Sequence, residues 1–210
     1  LLYVPRFGGG DWQYNQEAWV LYALAQSGSG EVARMANLYD QRARLNDEAK
    51  AFLAMALFIT NPDDTRLATL MSDLVNTAST SATGIHWNSS EPINWTTDNR
   101  ATAVILKAFI MLDASNALIL NGVRYLVSAR RGDYWESSQE TTWSVLALRD
   151  WLVYSNDSSA AYTANITLNN AVIADQQTAQ DLREAQATSV TLDQTQTQYD
   201  LTLNRSEGQG

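Results

Sequence analysis

The chain contains no cysteine, so a disulfide framework, a thiol nucleophile and a thiolate-bound metal are all excluded from these residues. Histidine is almost as scarce. His86 is the only one, and any Ser–His–acid triad or imidazole metal site must use it, with no Gly-x-Ser-x-Gly elbow to support a triad. Basic charge is short too: 14 Lys and Arg against 23 Asp and Glu give a formal net charge of -9 and a pI near 4.5. A phosphate backbone would find little cationic surface to displace its counterions, so no nucleic-acid partner is expected. Long hydrophobic runs are missing as well. The longest candidate, Ala103 to Leu112, is interrupted by Lys107 and falls short of the ~20 residues that span a bilayer, so no membrane contact is expected. The opening Leu1-Leu2-Tyr3 has no initiator Met and no basic segment leading into an apolar one, which is the expectation for a piece of a longer chain.

What is present is a folding composition. The 210 residues are 45% hydrophobic and 18% charged, with 7 Trp and 9 Tyr, enough to bury a core without staples. Apolar residues recur with helical spacing in Ala18, Leu21, Tyr22, Ala25, in Phe52, Met55, Ala56, Ile59, and in Ile105, Ala108, Phe109, Leu112, each set predicting a helix with one buried face. Thr141 to Leu152 is apolar almost all round, which predicts a helix enclosed by others.

These four segments share a pattern: a bulky residue, then Ala with an apolar neighbour four and five positions on. The pairs are Trp19 with Ala23-Leu24, Phe52 with Ala56-Leu57, Val104 with Ala108-Phe109 and Trp143 with Ala147-Leu148. Successive Ala anchors lie 33, 52 and 39 residues apart, a spacing near that of stacked helical repeats with an insertion in the middle interval. More polar helical stretches at Glu31 to Gln41, Asp63 to Thr77 and Asn116 to Ala129 alternate with the apolar ones, as an outer layer alternates with an inner one. Turns are expected at Ser27-Gly28-Ser29-Gly30, Asn61-Pro62-Asp63-Asp64 and Arg131-Gly132-Asp133, and a helix start at Asn46-Asp47-Glu48. The insertion from Gly84 to Trp95 is expected as an ordered loop packed on the end of the array.

Past Tyr154 the period changes to two. Ala161 to Leu168, Ser189 to Leu192 and Gln198 to Leu203 alternate and are rich in Thr, Val and Leu, as half-buried strands are. The fold class expected is therefore mainly α, a partial α/α toroid of helical hairpins over residues 1-155, followed by a small antiparallel β segment over 160-210. A β module of that size has exposed edges and is expected to be either truncated or completed by a partner segment.

Four stretches carry a family resemblance: Leu1 to Pro5, the helix Glu17 to Leu24, Ile85-His86-Trp87, and Tyr134-Trp135-Glu136-Ser137-Ser138-Gln139-Glu140-Thr141-Thr142-Trp143. They resemble the thioester domain of alpha-2-macroglobulins of the bacterial type, with residues 160-210 similar to the start of the CUB-like or macroglobulin-type β domain that follows it. The resemblance implies a fragment of a broad-spectrum endopeptidase inhibitor, not an enzyme. Such a parent would be extracellular, periplasmic or in the cell envelope, and the fragment would be a carrier that docks on neighbouring domains, with target proteases engaged by the whole molecule. The family's thioester joins a Cys to a Gln in a Cys-x-Glu-Gln motif, which this chain lacks: either the motif stands upstream, or the parent has none.

Taken alone, the residues leave other chemistry to weigh. Asp11-Trp12, Asp98 and Asp133-Tyr134-Trp135-Glu136 set acids beside aromatics, the arrangement by which toroid glycoside hydrolases hold a sugar between two carboxylates. The enzyme alternative is thus a carbohydrate-active or glycan-binding module using Asp98 and Glu136. Against it, acids at helix starts also answer the helix macrodipole, and Glu136 and Glu140 are expected to face solvent. His86 beside Trp87 suits loop anchoring. Arg131-Gly132-Asp133 could mimic an adhesion tripeptide, with cell binding then dependent on Asp133, but a turn is expected there. Asn88, Asn94, Asn156, Asn165 and Asn204 fall in Asn-x-Ser/Thr triplets that matter only in a eukaryotic secretory chain. Gly8-Gly9-Gly10 lacks the Lys-Ser/Thr of a phosphate loop. No catalytic, cofactor or metal residue is assigned.

Overall fold

A computed structural model describes residues 11–89, 96–155, 162–179, 190–191 and 198–205. Among them are seven α-helices: α1 (Trp12–Gln26), α2 (Val32–Asp40), α3 (Asp47–Thr60), α4 (Arg66–Asn76), α5 (Asp98–Leu112), α6 (Leu118–Ser128) and α7 (Ser138–Ser155). Five strands accompany them: β1 (Ser79–Ser81), β2 (Gly84–His86), β3 (Tyr162–Leu168), β4 (Ala171–Ala179) and β5 (Leu201–Arg205). The class is mainly α with small antiparallel sheets. The chain divides into two compact units, residues 1–151 and 152–210.

In the first unit α3 is the centre, packed on α1, α5, α4 and α2. Its sequence explains this position, because Ala51 through Leu57 are all buried and only a helix enclosed by neighbours can hide so continuous an apolar run. The alternating polar helices α2, α4 and α6 each bury one narrow stripe, Met35 and Leu38, Leu70 and Leu74, and Ile119, Gly122, Val123 and Leu126, as outer-layer helices do.

The expected punctuation is realised. After α1, Gly28 adopts φ 78°, its N–H donates to Ala25 O at 3.0 Å, and Ser29 N–H donates to Leu24 O at 2.9 Å, which closes the helix as a Schellman motif. Asn46 caps α3, its side chain accepting from Ala49 N–H at 2.8 Å, and Thr97 caps α5 by accepting from Arg100 N–H at 3.2 Å. Arg131-Gly132-Asp133 does turn, with Gly132 at φ 67° and Arg131 paired to Tyr134.

Two expectations are corrected. Trp19 is 46% exposed and Ala23 is also exposed, so the shared anchor pattern is out of register in α1, whose buried stripe is Asn15, Ala18, Leu21, Tyr22 and Ala25. Nor is α7 enclosed: only Glu140, Ser144 and Ala147 of it are buried, while Val145 and Leu146 are 51% and 36% exposed.

The insertion begins as the β1–β2 hairpin, Ser79 opposite His86, packed on α6 and α5. Gly84 stands at φ 140° where an added Cβ would lie 2.3 Å from Asn121 O, so only glycine permits the hairpin to approach α6 this closely. Trp87 anchors the return to the core. It is 1% exposed, its indole N–H donates to Leu74 O at 2.7 Å and its backbone N–H to Thr102 Oγ1 at 3.1 Å. Residues 90–95 of the expected loop, including Trp95, lie outside the described residues.

The second unit is a three-stranded antiparallel sheet in the order β4-β3-β5. β3 and β5 answer the sequence expectation. β4 was not expected, and the Ser189 to Leu192 segment has no strand at residues 190–191, its other residues lying outside the described ones. Asn169 and Asn170, at φ 48° and 65°, form the tight turn between β3 and β4, a conformation that asparagine tolerates best after glycine.

Candidate functional site

Buried polar side chains stand near the N-terminal ends of α1, α3 and α7, Asn15, Glu48 and Glu140, with Thr102 and Ser144 deeper in α5 and α7. Asn15 stands three positions ahead of Ala18 and Glu48 four ahead of Phe52 on the buried stripes of their helices. Glu140 stands four ahead of Ser144. Hydrogen bonds join these ends in sequence. Asn15 Oδ1 accepts from Asn46 N–H at 3.0 Å, linking α1 to α3. Arg100 Nη2 meets Glu48 Oε1 at 2.7 Å, linking α3 to α5. Asn99 Nδ2 donates to Glu140 Oε2 at 3.1 Å, linking α5 to α7.

Glu48 is the most perturbed member. It is 6% exposed, and its Oε2 has no hydrogen-bond partner. Burial pushes its pKa up from 4.5 to about 7, against the opposing pull of the Arg100 guanidinium. The positive end of the helix macrodipole favours an acid at this second position of α3, yet desolvation dominates because so little water reaches the carboxyl. Beside it opens a cleft of about 190 Å³ lined by Asn15, Gln16, Trp19, Glu48, Phe52 and Arg100 among others.

Glu140 corrects the solvent-facing expectation. It is 3% exposed, and besides Asn99 its Oε2 takes the N–H of Glu136 at 3.2 Å. The α7 start therefore folds around a buried carboxylate. Glu136 itself is exposed and pairs with Arg131 at 3.3 Å.

The other sequence candidates occupy separate local settings. Asp98 Oδ1 accepts from Ser89 N–H at 2.6 Å, a bond that ties the loop to the start of α5. Asp11 pairs with Arg44 at 2.7 Å, and that guanidinium also sits 4.2 Å from the Tyr14 ring centre. Trp135 is buried with its indole N–H on Leu126 O at 2.9 Å, whereas Tyr134 is 59% exposed. His86 stacks on Tyr125 with ring centres 4.7 Å apart and its Nε2 lies 3.2 Å from Asn88 Oδ1. Asp98 and Glu136 thus each serve a neighbouring turn, and no bond joins them. Among the described residues no group of three His, Asp or Glu side chains stands together as a metal site. Of the Asn-x-Ser/Thr positions, Asn165 lies on β3 and Asn204 on β5, paired with each other; Asn94, Asn156, Leu1 to Pro5 and Gly8-Gly9-Gly10 lie outside the described residues.

Glu48, Arg100 and Asn15 were missed as a cluster. The available signal was register: a charged or amide side chain on an otherwise apolar stripe, four residues before Phe52 or Val104.

No family model and no curated protein sequence matches this chain. Solved structures do. An Escherichia coli alpha-2-macroglobulin activated by porcine elastase matches 83% of the chain with a TM-score of 0.53 and 17% identity. The fold is that of a part of the bacterial alpha-2-macroglobulins. A Salmonella alpha-2-macroglobulin reacted with methylamine matches 98% of the chain with a TM-score of 0.55 and 13% identity. The chain spans 15% and 11% of the length of these two alpha-2-macroglobulins.

Proposed function

We propose that this chain is a portion of an alpha-2-macroglobulin-like, broad-spectrum endopeptidase inhibitor, in which it serves as a carrier and docking domain and performs no catalysis of its own. The observation that carries the reading is the extent of the fold likeness, which in the Salmonella protein takes in 98% of the chain, helical unit and sheet alike. In this reading residues 1-155 are part of an α/α toroid corresponding to the thioester domain, and 160-210 begin the β domain that follows. The parent is a secreted, periplasmic or envelope protein. The half-exposed Trp19 and the exposed Val145 and Leu146 support the toroid assignment, since an incomplete ring leaves apolar side chains on its first and last helices uncovered. The thioester cysteine, where the parent has one, stands outside these residues because the chain has no Cys.

Mixing the full-length parent with elastase, with and without methylamine pretreatment, tests this on a denaturing gel. A protease conjugate that methylamine abolishes is the expected result, while the 210-residue chain alone leaves the protease uninhibited. Unhindered protease with no conjugate would remove the thioester form of the proposal. A glycosidase activity of the chain that is lost in Asp98→Asn or Glu136→Gln would replace it with the carbohydrate enzyme, a reading that the separate settings of those two residues do not support.

A further inference from the structure

The cleft beside Glu48 has a composition that the inhibitor reading does not use, and the inference drawn from it concerns the 210-residue chain, in which Trp19 is 46% exposed; the ring closure proposed for the parent would cover that same Trp19. We propose that this cleft binds one neutral, hydroxyl-rich ring, a single monosaccharide unit.

Charge is the first consideration. The cleft carries one carboxylate and one guanidinium, already paired at 2.7 Å, and the remaining polar lining, Asn15, Gln16, Asn46 and Thr96, is uncharged. A net charge on the ligand would therefore have no uncompensated partner, and a charged ligand would lose its hydration for little return. A neutral ligand loses less.

Hydrogen-bonding capacity is the second. Glu48 Oε2 is a buried acceptor with no partner, a state that costs free energy until a donor arrives. Amides such as Gln16 offer both donor and acceptor, and so does the Thr96 hydroxyl. A ligand hydroxyl both donates and accepts, which matches this mixture better than a pure donor or a pure acceptor does.

Shape and apolar surface are the third. Trp19, half-exposed, lines the cleft together with the buried Phe52 and the polar side chains, so Trp19 is the aromatic surface that a ligand could reach. The C–H face of a pyranose ring stacks on such a surface while its hydroxyl edge turns to the polar groups. At about 190 Å³ the space is below the ~300 Å³ of the smallest usual drug pockets, which favours a single ring over an oligomer.

The test is saturation-transfer NMR and calorimetric titration of the 210-residue chain with glucose and with N-acetylglucosamine. Saturable binding of at least one, in the millimolar range, is expected. Trp19→Ala, a rim substitution that leaves the core intact, is expected to weaken it about tenfold, and Glu48→Gln to weaken it comparably. Leu120→Ala, on the exposed face of α6 away from the cleft lining, is expected to change nothing. Should Glu48→Gln fail to fold, Gln16→Ala takes its place beside Trp19→Ala. Absence of saturable binding to either sugar overturns the proposal, as does binding that neither cleft substitution weakens. Tighter binding of acetate or of methylammonium than of both sugars overturns the neutral class.

Discussion

The residue with the largest unexplained burden is Glu48, an acid held with 6% exposure against a single guanidinium. Its folded pKa of about 7 lies above the ordinary 4.5. For an acid with a raised folded value, the unfolded chain loses its proton first as pH rises. The contribution to stability is therefore full below about 4.5, falls through the window up to about 7 and is gone above it. The charge paired with the carboxyl is Arg100, and the polar groups otherwise lining the adjoining cleft, Asn15, Gln16, Asn46 and Thr96, are uncharged. A shift of this size corresponds to on the order of 3 kcal/mol. Glu48→Gln should therefore flatten the rise in stability from pH 7 to pH 5 relative to the native chain, measured by urea unfolding at each pH. Parallel pH profiles for the two proteins would show that the carboxyl titrates near its ordinary value. Glycine at position 84 invites a second test at the same scale. Gly84→Ala combines φ 140° with a contact to Asn121 O and is expected to destabilise by roughly 2–4 kcal/mol, visible as a lower urea midpoint at unchanged slope.

At the scale of elements, helix placement was legible because propensity, capping and period agreed. Asn46 followed by two acids marked the α3 start, Ser27-Gly28 marked the α1 end, and the stripe Ala18, Leu21, Tyr22, Ala25 was found buried as the spacing predicted. What failed was the step from pattern to environment. Trp19 was grouped with Phe52 by similarity of sequence, although the helical stripe of α1 runs through Ala18 and Tyr22 and leaves Trp19 outside it. The strand β4 went unseen because Asp175-Gln176-Gln177 interrupts any alternation, and only the Asn169-Asn170 turn announced a hairpin. Glu140 was misjudged for a related reason: sequence shows an acid at a helix start but not that the Asn99 amide and the Glu136 N–H converge on it. The Asn99 donor makes Glu140 the tie between α5 and α7, and the Glu136 N–H fastens the segment before α7 to the same oxygen. Truncation in Glu140→Ala leaves both unsatisfied and should cost about 1–3 kcal/mol, whereas Glu140→Gln keeps one acceptor oxygen and should cost less. Equal losses for the two variants in chemical unfolding would count against the tie.

At the scale of the whole molecule, the proposal that the helical unit is an arc of a larger toroid makes a demand on its surface. Apolar side chains on α1 and α7 are exposed here, Trp19 at 46%, Val145 at 51% and Leu146 at 36%, and the outer helices α2, α4 and α6 also expose single apolar residues, Val32, Val75, Leu120 and Val127. Burying such residues contributes about 25 cal/mol per Å² of apolar surface, so a ring that closes over both helices gains stability that the isolated arc lacks. Hydroxyl-radical footprinting read by mass spectrometry compares the two states directly. In the 210-residue chain Trp19 and the Val145-Leu146 peptide should label strongly. In the full-length parent both should be protected, while Leu120 on α6, exposed at 65%, serves as the reference position outside the proposed closure. Protection at Trp19 alone would assign cover to α1 without a closed ring, because a toroid must shield its first and last helices together. Equal labelling in both proteins would remove the closure, and with it the structural support that the exposed apolar faces lend to the carrier-domain reading.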